Sequence, residues 1–218
     1  MTDIREHLAH KPLLFDGGMG TYYKAAPGAD CEMANLTDPE GVKKVHAEYL
    51  AAGAQAIKTN TFGLPRMAAA QTPGREELAE AGWKLACDAA AEKDAAVFAD
   101  FGPAPDTEAA PASSAYGLVA QQFAALGAKN FLFETLSSDV GIVEAVKALR
   151  VAVPDAFVMV SFAVLPDGYT REGLLFRDLL RRMEGSGVVD AVGLNCVSAP
   201  GAMKKLVQSL GETLLPLS

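Results

Sequence analysis

One pattern constrains this chain more than any other: short apolar runs that keep ending in polar, acidic or glycine residues. Leu13-Leu14-Phe15 runs into Asp16-Gly17-Gly18-Met19-Gly20-Thr21, and Gln55-Ala56-Ile57-Lys58 into Thr59-Asn60-Thr61-Phe62-Gly63. Ala96-Val97-Phe98-Ala99 closes on Asp100, Asn130-Phe131-Leu132-Phe133 on Glu134-Thr135, and Ala191-Val192-Gly193-Leu194, which follows Asp190, on Asn195-Cys196. Phe157 to Phe162 is a further run of the same length class. Runs this short, bounded by turn signals and separated by helix-length segments, read as strands of a parallel sheet. Their recurring polar exits place chemistry at the C-terminal ends of those strands.

The segments between carry helix signals. Asp38 and Pro39 suit an N-cap and first helical position, with the helix running to about Ala52 and closing at Gly53. Further helices are expected from Thr72-Pro73 to about Asp94, Ser114 to Leu126, Ser138 to Arg150, Leu174 to Glu184 and Ala202 to Leu210. The Ala-, Pro- and Ser-rich stretch from Ala104 to Ser114 is expected to be a mobile loop over the active face. Thr213 to Ser218 could open a seventh strand. The expected fold is α/β, a (β/α)8 TIM barrel lacking its last one or two β/α units, with residues 1–218 forming one domain. A doubly wound open sheet is the other arrangement; a closed ring of loops explains polar exits on nearly every strand more simply than one switch point does.

Composition narrows the function classes. The formal charge of -8 comes from acids spread along the chain, with no run of Lys or Arg, which disfavours nucleic acid as a partner. No apolar run approaches the roughly 20 residues of a membrane span, and the first residues do not form a secretory signal. Three cysteines, Cys31, Cys87 and Cys196, lack CxxC spacing and suit a reducing, cytoplasmic setting. The histidines, His7, His10 and His46, fall on expected helices, so a Ser-His-Asp triad or His-rich metal site is disfavoured.

Among the strand-end residues, Cys196 is a thiol aimed at chemistry or a small buried hydrophobe. The Asp16-Gly17-Gly18 turn permits close backbone approach to a ligand or is simply a tight turn. Thr59, Asn60 and Thr61 crowd one strand exit with hydrogen-bonding groups. Lys58 is either a Schiff-base nucleophile with a depressed pKa or a side chain that snorkels at the rim. Glu134 closes an apolar strand, where a carboxylate requires a cation or several donors.

Taken in order, Leu14-Phe15-Asp16-Gly17-Gly18-Met19-Gly20-Thr21, Asn35-Leu36-Thr37-Asp38-Pro39, Ala52-Gly53-Ala54, Thr59-Asn60-Thr61-Phe62-Gly63, Phe133-Glu134-Thr135 and Gly193-Leu194-Asn195-Cys196 resemble the homocysteine S-methyltransferase family. That family takes in the N-terminal module of cobalamin-dependent methionine synthases and the betaine-homocysteine methyltransferases. The resemblance implies zinc-dependent transfer of a methyl group to the sulfur of homocysteine, giving methionine. It implies Cys196 as a zinc thiolate, with two more Cys ligands, from a Gly-Gly-Cys-Cys-Gly motif, expected beyond Ser218. It also implies a substrate site drawn from Asp16, Gly17, Gly18, Thr59, Asn60, Glu134 and Asn195, with Asp16 and Glu134 holding the substrate ammonium. The donor implied is methylcobalamin, linked to methyltetrahydrofolate, or S-methylmethionine or betaine, delivered free or by a donor-carrying domain. Asp100 departs from the smaller residues usual before Gly102-Pro103, adding an acid to the pocket.

Two other readings stand beside this one. A Schiff-base lyase or aldolase would use Lys58 with Asp16 or Glu134 assisting. A non-catalytic amino-acid-binding module would leave strand edges open to self-association.

Overall fold

The computed structural model describes residues 3–23 and 30–210. Its sheet has five parallel strands, β1 (Ala56–Lys58), β2 (Ala96–Phe101), β3 (Asn130–Leu136), β4 (Phe157–Ala163) and β5 (Ala191–Asn195), in the order of the chain. A doubly wound sheet reverses its order at a switch point. Sequential parallel pairing is instead the arrangement of a β/α barrel.

The expected first strand at Leu13 to Phe15 is reduced to one parallel bridge, Phe15 to Ala56, at the β1 edge. Its backbone is nonetheless tied in: Gln55 N and Ala56 N donate to Leu14 O at 2.8 and 3.1 Å, and Asp16 N donates to Ala56 O at 3.0 Å. So short a segment pairs long enough to aim Asp16 but not to extend the ladder. The expected seventh strand lies outside the described residues.

Strand parity sorts the side chains. Ala56, Phe98, Leu132 and Phe157 form one apolar cluster with Ile4 of helix α1 (Ile4–His10), which closes over the N-terminal strand ends. Phe131, Phe133, Val158 and Val160 face the other way, into the core shared with the outer helices. There Phe101 stacks on Phe133 with ring centroids 4.8 Å apart. Because successive strand residues alternate faces, Lys58, Asp100, Glu134 and Asn195 share the inner face of Ala56, Phe98, Leu132 and Ala191, one or two steps nearer the C-terminal rim.

Between Phe15 and β1 lie α2 (Met19–Tyr23), a 3₁₀ turn (Cys31–Met33), α3 (Ala34–Thr37) and α4 (Pro39–Ala51). Helix α4 begins as expected, with Asp38 accepting from Gly41 N at 3.1 Å and Pro39 in the first turn. It buries Val42, Val45, His46 and Leu50, the spacing of one helical face.

The helix expected from Thr72-Pro73 to about Asp94 is α6 (Arg75–Ala91), which begins after Gly74 at φ +80°; a short helix that was not expected, α5 (Leu64–Ala69), precedes it. The remaining helices are α7 (Ala112–Ala125), α8 (Ile142–Ala152), α9 (Phe176–Ser186) and α10 (Pro200–Gln208). In the stretch from Ala104 to Ser114, whose last residues open α7, Tyr116 Oη accepts from Ala104 N at 2.9 Å, and Asp106 Oδ1 accepts from Ala112 N at 2.9 Å. These bonds tie the loop down, and it borders a separate cavity with Leu136 and Glu172.

Helix α8 starts against the first turn of α7. Gly141 has φ +78°, and a Cβ there would lie 2.4 Å from Ser113 N. Gly141→Ala is therefore expected to lower unfolding stability by about 3 kcal/mol, combining left-handed strain with a backbone clash; denaturant titration measures it.

Candidate functional site

At the C-terminal ends of the strands the inner face opens into a cavity of about 380 Å³. Asp16, Lys58, Asp100, Glu134 and Cys196 all line it, as do Gly17 and Gly18. Asn195 braces its floor through hydrogen bonds to Glu134 and Thr135. The residues singled out at separate strand exits thus converge on one space.

Lys58 is the hub. Its Nζ donates to Glu134 Oε1 and Oε2 at 3.2 and 3.3 Å, and its backbone N donates to Asp16 Oδ2 at 3.0 Å. Burial opposes its charge, but the carboxyls of Asp100, Glu134 and Asp16 outweigh burial and raise its pKa above the ordinary lysine value. The lysine is paired with Glu134 rather than turned to the rim, and the raised pKa disfavours the neutral amine a Schiff base requires. This pairing does not favour the lyase reading.

Burial also pushes Asp16 up to about 6, against the lowering effect of Lys58. Asp100, only 4% exposed, is raised well above the usual carboxylate range by burial and then by Glu134, with Lys58 opposing. Asp16 Oδ1 and Asp100 Oδ1 are buried with no hydrogen-bond partner. Three carboxyls surround one ammonium, so the enclosure is suited to a second cation.

The site's geometry is held by a bulge. Pairing between β3 and β4 shifts register between Phe133 and Leu136, and Thr135 sits at φ +62°. A β-branched residue adopts that region only under constraint. Asn195 supplies it: Oδ1 accepts from Thr135 N at 3.0 Å, while Nδ2 donates to Thr135 Oγ1 at 2.9 Å and Glu134 Oε2 at 3.1 Å. Cys196 follows at φ +68°, with its side chain exposed. The Asn-Cys pair therefore couples β5 to the Glu-Thr end of β3.

Thr59 and Asn60 also line the cavity, and their side chains tie its wall together. Thr59 Oγ1 accepts from Asp100 N at 3.0 Å and shares a 2.6 Å bond with Thr61 Oγ1, which donates to Asp100 O at 3.0 Å. This clip fixes the Asp100 backbone on both sides. Asn60 Nδ2 donates to Asn35 Oδ1 at 3.0 Å and Cys31 O at 2.9 Å, and Asn35 Nδ2 returns a bond to Asn60 O at 2.8 Å. Gly82 of α6 admits this amide pair, since a Cβ there would lie 2.7 Å from Asn35 Nδ2. Glu32, also buried, accepts from Gly63 N.

Cys31 lines the same cavity as Cys196, a proximity its distance in sequence concealed. Burial, then Glu32, raise its thiol pKa, which disfavours the thiolate. Among the described residues no group of three His, Cys, Asp or Glu side chains is disposed to hold a metal ion. Those residues therefore do not fit zinc by themselves. No helix among them is long and apolar enough to cross a membrane.

A sequential parallel β/α sheet with an acid-lined cavity at its C-terminal strand ends defines a barrel-type enzyme architecture. The chain belongs to the homocysteine S-methyltransferase family, whose model matches residues 13–218. It is similar to methionine synthase of Mycobacterium tuberculosis, with 29% identity over 97% of this chain and 20% of that protein. Methionine synthase of Mycobacterium leprae is 28% identical over the same shares. The chain thus spans about a fifth of the length of these curated relatives. In fold it matches the metallated form of the Escherichia coli homocysteine methyltransferase MmuM, with a TM-score of 0.74, 22% identity, and coverage of 95% of this chain and 82% of that one. The apo form gives 0.70, with 24% identity and coverage of 95% and 80%.

Proposed function

We propose that residues 1–218 act as one domain that binds homocysteine by its amino-acid end and presents its sulfur for methylation to methionine. The observation carrying this reading is the convergence of Asp16, Glu134 and Cys196 on one cavity at the strand ends. In this reading Asp16 Oδ1 accepts the substrate ammonium, which gives a buried, unpartnered oxygen its cation. Lys58 holds Glu134 in place and is the cation that the surrounding carboxyls face. Gly17 and Gly18 allow the ligand close approach, and Asn195 fixes the Glu134 wall against which the substrate lies.

Cys196 is proposed to stand beside the sulfur as a thiolate donor to zinc. The described residues do not by themselves supply a complete ligand set. The methyl donor is proposed from the three kinds the family uses, methylcobalamin, S-methylmethionine and betaine. Cysteine usage supports a cytoplasmic setting.

The test is methionine formation from L-homocysteine with each donor in turn; no turnover with any, and no homocysteine binding, overturns the reading. Asp16→Asn is expected to lower kcat/KM for homocysteine about 100-fold, the order lost with a hydrogen bond to a buried charge. Only ionised Asp16 attracts the ammonium, so homocysteine affinity should weaken as pH falls through about 6. A titration of Kd against pH checks this, and Asp16→Asn should flatten it.

A further inference from the structure

We propose that Asp100 is a second seat for the ammonium group of the amino-acid substrate, and that its carboxyl releases a proton as that cation enters. The inference rests on the reading that the cavity takes an amino-acid end. It goes further by assigning a specificity residue and a proton linkage.

The geometry is that of a built site. Asp100 stands on the inner face of β2, two residues beyond Phe98, and is 4% exposed while lining the cavity. Its backbone is clamped on both sides by Thr59 and Thr61, so the side chain cannot withdraw by a shift of the strand. Its Oδ1 is buried and unpartnered. The cation already present, Lys58, spends its Nζ bonds on Glu134.

The charged groups facing Asp100 are Glu134 from β3, Lys58 from β1, Asp16 at the β1 edge and Glu32 from the 3₁₀ turn. Three acids against one ammonium keep a further anion unfavourable, so the empty site carries Asp100 as a neutral acid. An incoming ammonium changes that balance, because an opposite charge within hydrogen-bond reach favours the ionised carboxyl. The O–H bond of Asp100 breaks and its proton passes to solvent. The ammonium N–H then donates to the carboxylate oxygen, with no oxidant or co-reactant needed. A ligand lacking the cation gains no such partner, so the pocket selects amino acids over desamino analogues.

The test uses L-methionine, which has no thiol proton to confuse the count. Calorimetric titration at pH 7 in phosphate and in Tris, buffers of different ionisation heat, gives the protons exchanged. Comparison with Asp100→Asn separates the proton of Asp100 from any that Asp16 gives up. Wild-type protein should release up to about one proton per ligand. Asp100→Asn should bind about tenfold more weakly and release almost none. Should that variant fail to fold, infrared difference spectra of the wild type decide, because the protonated-carboxyl band should disappear on adding L-methionine. Equal proton release in wild type and Asp100→Asn, or an unchanged carboxyl band, overturns the proposal while leaving amino-acid binding intact. Absence of binding by both L-methionine and L-homocysteine overturns the underlying reading, and this inference with it.

Discussion

Lys58→Met is expected to destabilise the protein by about 3–5 kcal/mol at neutral pH, the cost of leaving one side of a buried ion pair uncompensated. Its Nζ is the hydrogen-bonded cation for Glu134 and the positive charge facing Asp16 and Asp100. Removing it leaves three carboxyls around one cavity. The defect should shrink on acidification, as those carboxyls take up protons and cease to need a cation. In the wild type the sign runs the other way: the raised pKa means that the ammonium's contribution is complete below the unfolded lysine value of about 10.5. It is lost only as pH rises through the higher folded value. Denaturant titrations of both proteins across pH check the prediction. A loss below 1 kcal/mol at pH 7 would contradict the role given to Lys58.

The second large effect lies outside the site. His46 on α4 is fully buried, and neither ring nitrogen has a hydrogen-bond partner. Burial lowers its pKa from 6.5 to about 4. Between those values the unfolded chain binds a proton that the folded protein refuses, so stability is complete above about 6.5, falls as pH drops from there to about 4, and levels off below. The loss amounts to about 3 kcal/mol by the pKa difference. His46→Leu should therefore be more stable than wild type by about 1–3 kcal/mol at pH 7, from relieving two unsatisfied polar atoms. Its advantage should widen towards pH 4 and then level off. Asp16 has the opposite pH dependence, so the difference between variant and wild type isolates the histidine. A constant difference across pH would show that the imidazole is not held neutral.

Short apolar runs with polar exits made much of this arrangement legible in the sequence. Once Ala56, Phe98 and Leu132 are assigned to one face, Lys58, Asp100 and Glu134 follow by parity, and their shared position near the strand ends follows from run length. The α4 cap at Asp38 and Pro39 was equally plain, because it depends on neighbours in sequence. What depended on tertiary pairing was not legible. Lys58 read as nucleophile or rim residue because Glu134, which holds it, lies 76 positions away. Helix α5 was not legible because the six residues from Leu64 to Ala69 are too few to display a helical period. The composition of the loop from Ala104 to Ser114 gave no sign of the hydrogen bonds to Tyr116 and Asp106 that anchor its ends. Cys31 gave no signal at all, since its place on the cavity wall depends on Asn60 and Asn35 bridging two segments.

The most direct measurement is a crystal structure with L-homocysteine bound. It should show the ligand's ammonium within hydrogen-bond distance of Asp16 Oδ1, its sulfur towards Cys196, and the Lys58–Glu134 pair intact. Homocysteine seated elsewhere, or in this cavity with its ammonium turned away from Asp16 and Asp100, would contradict the account.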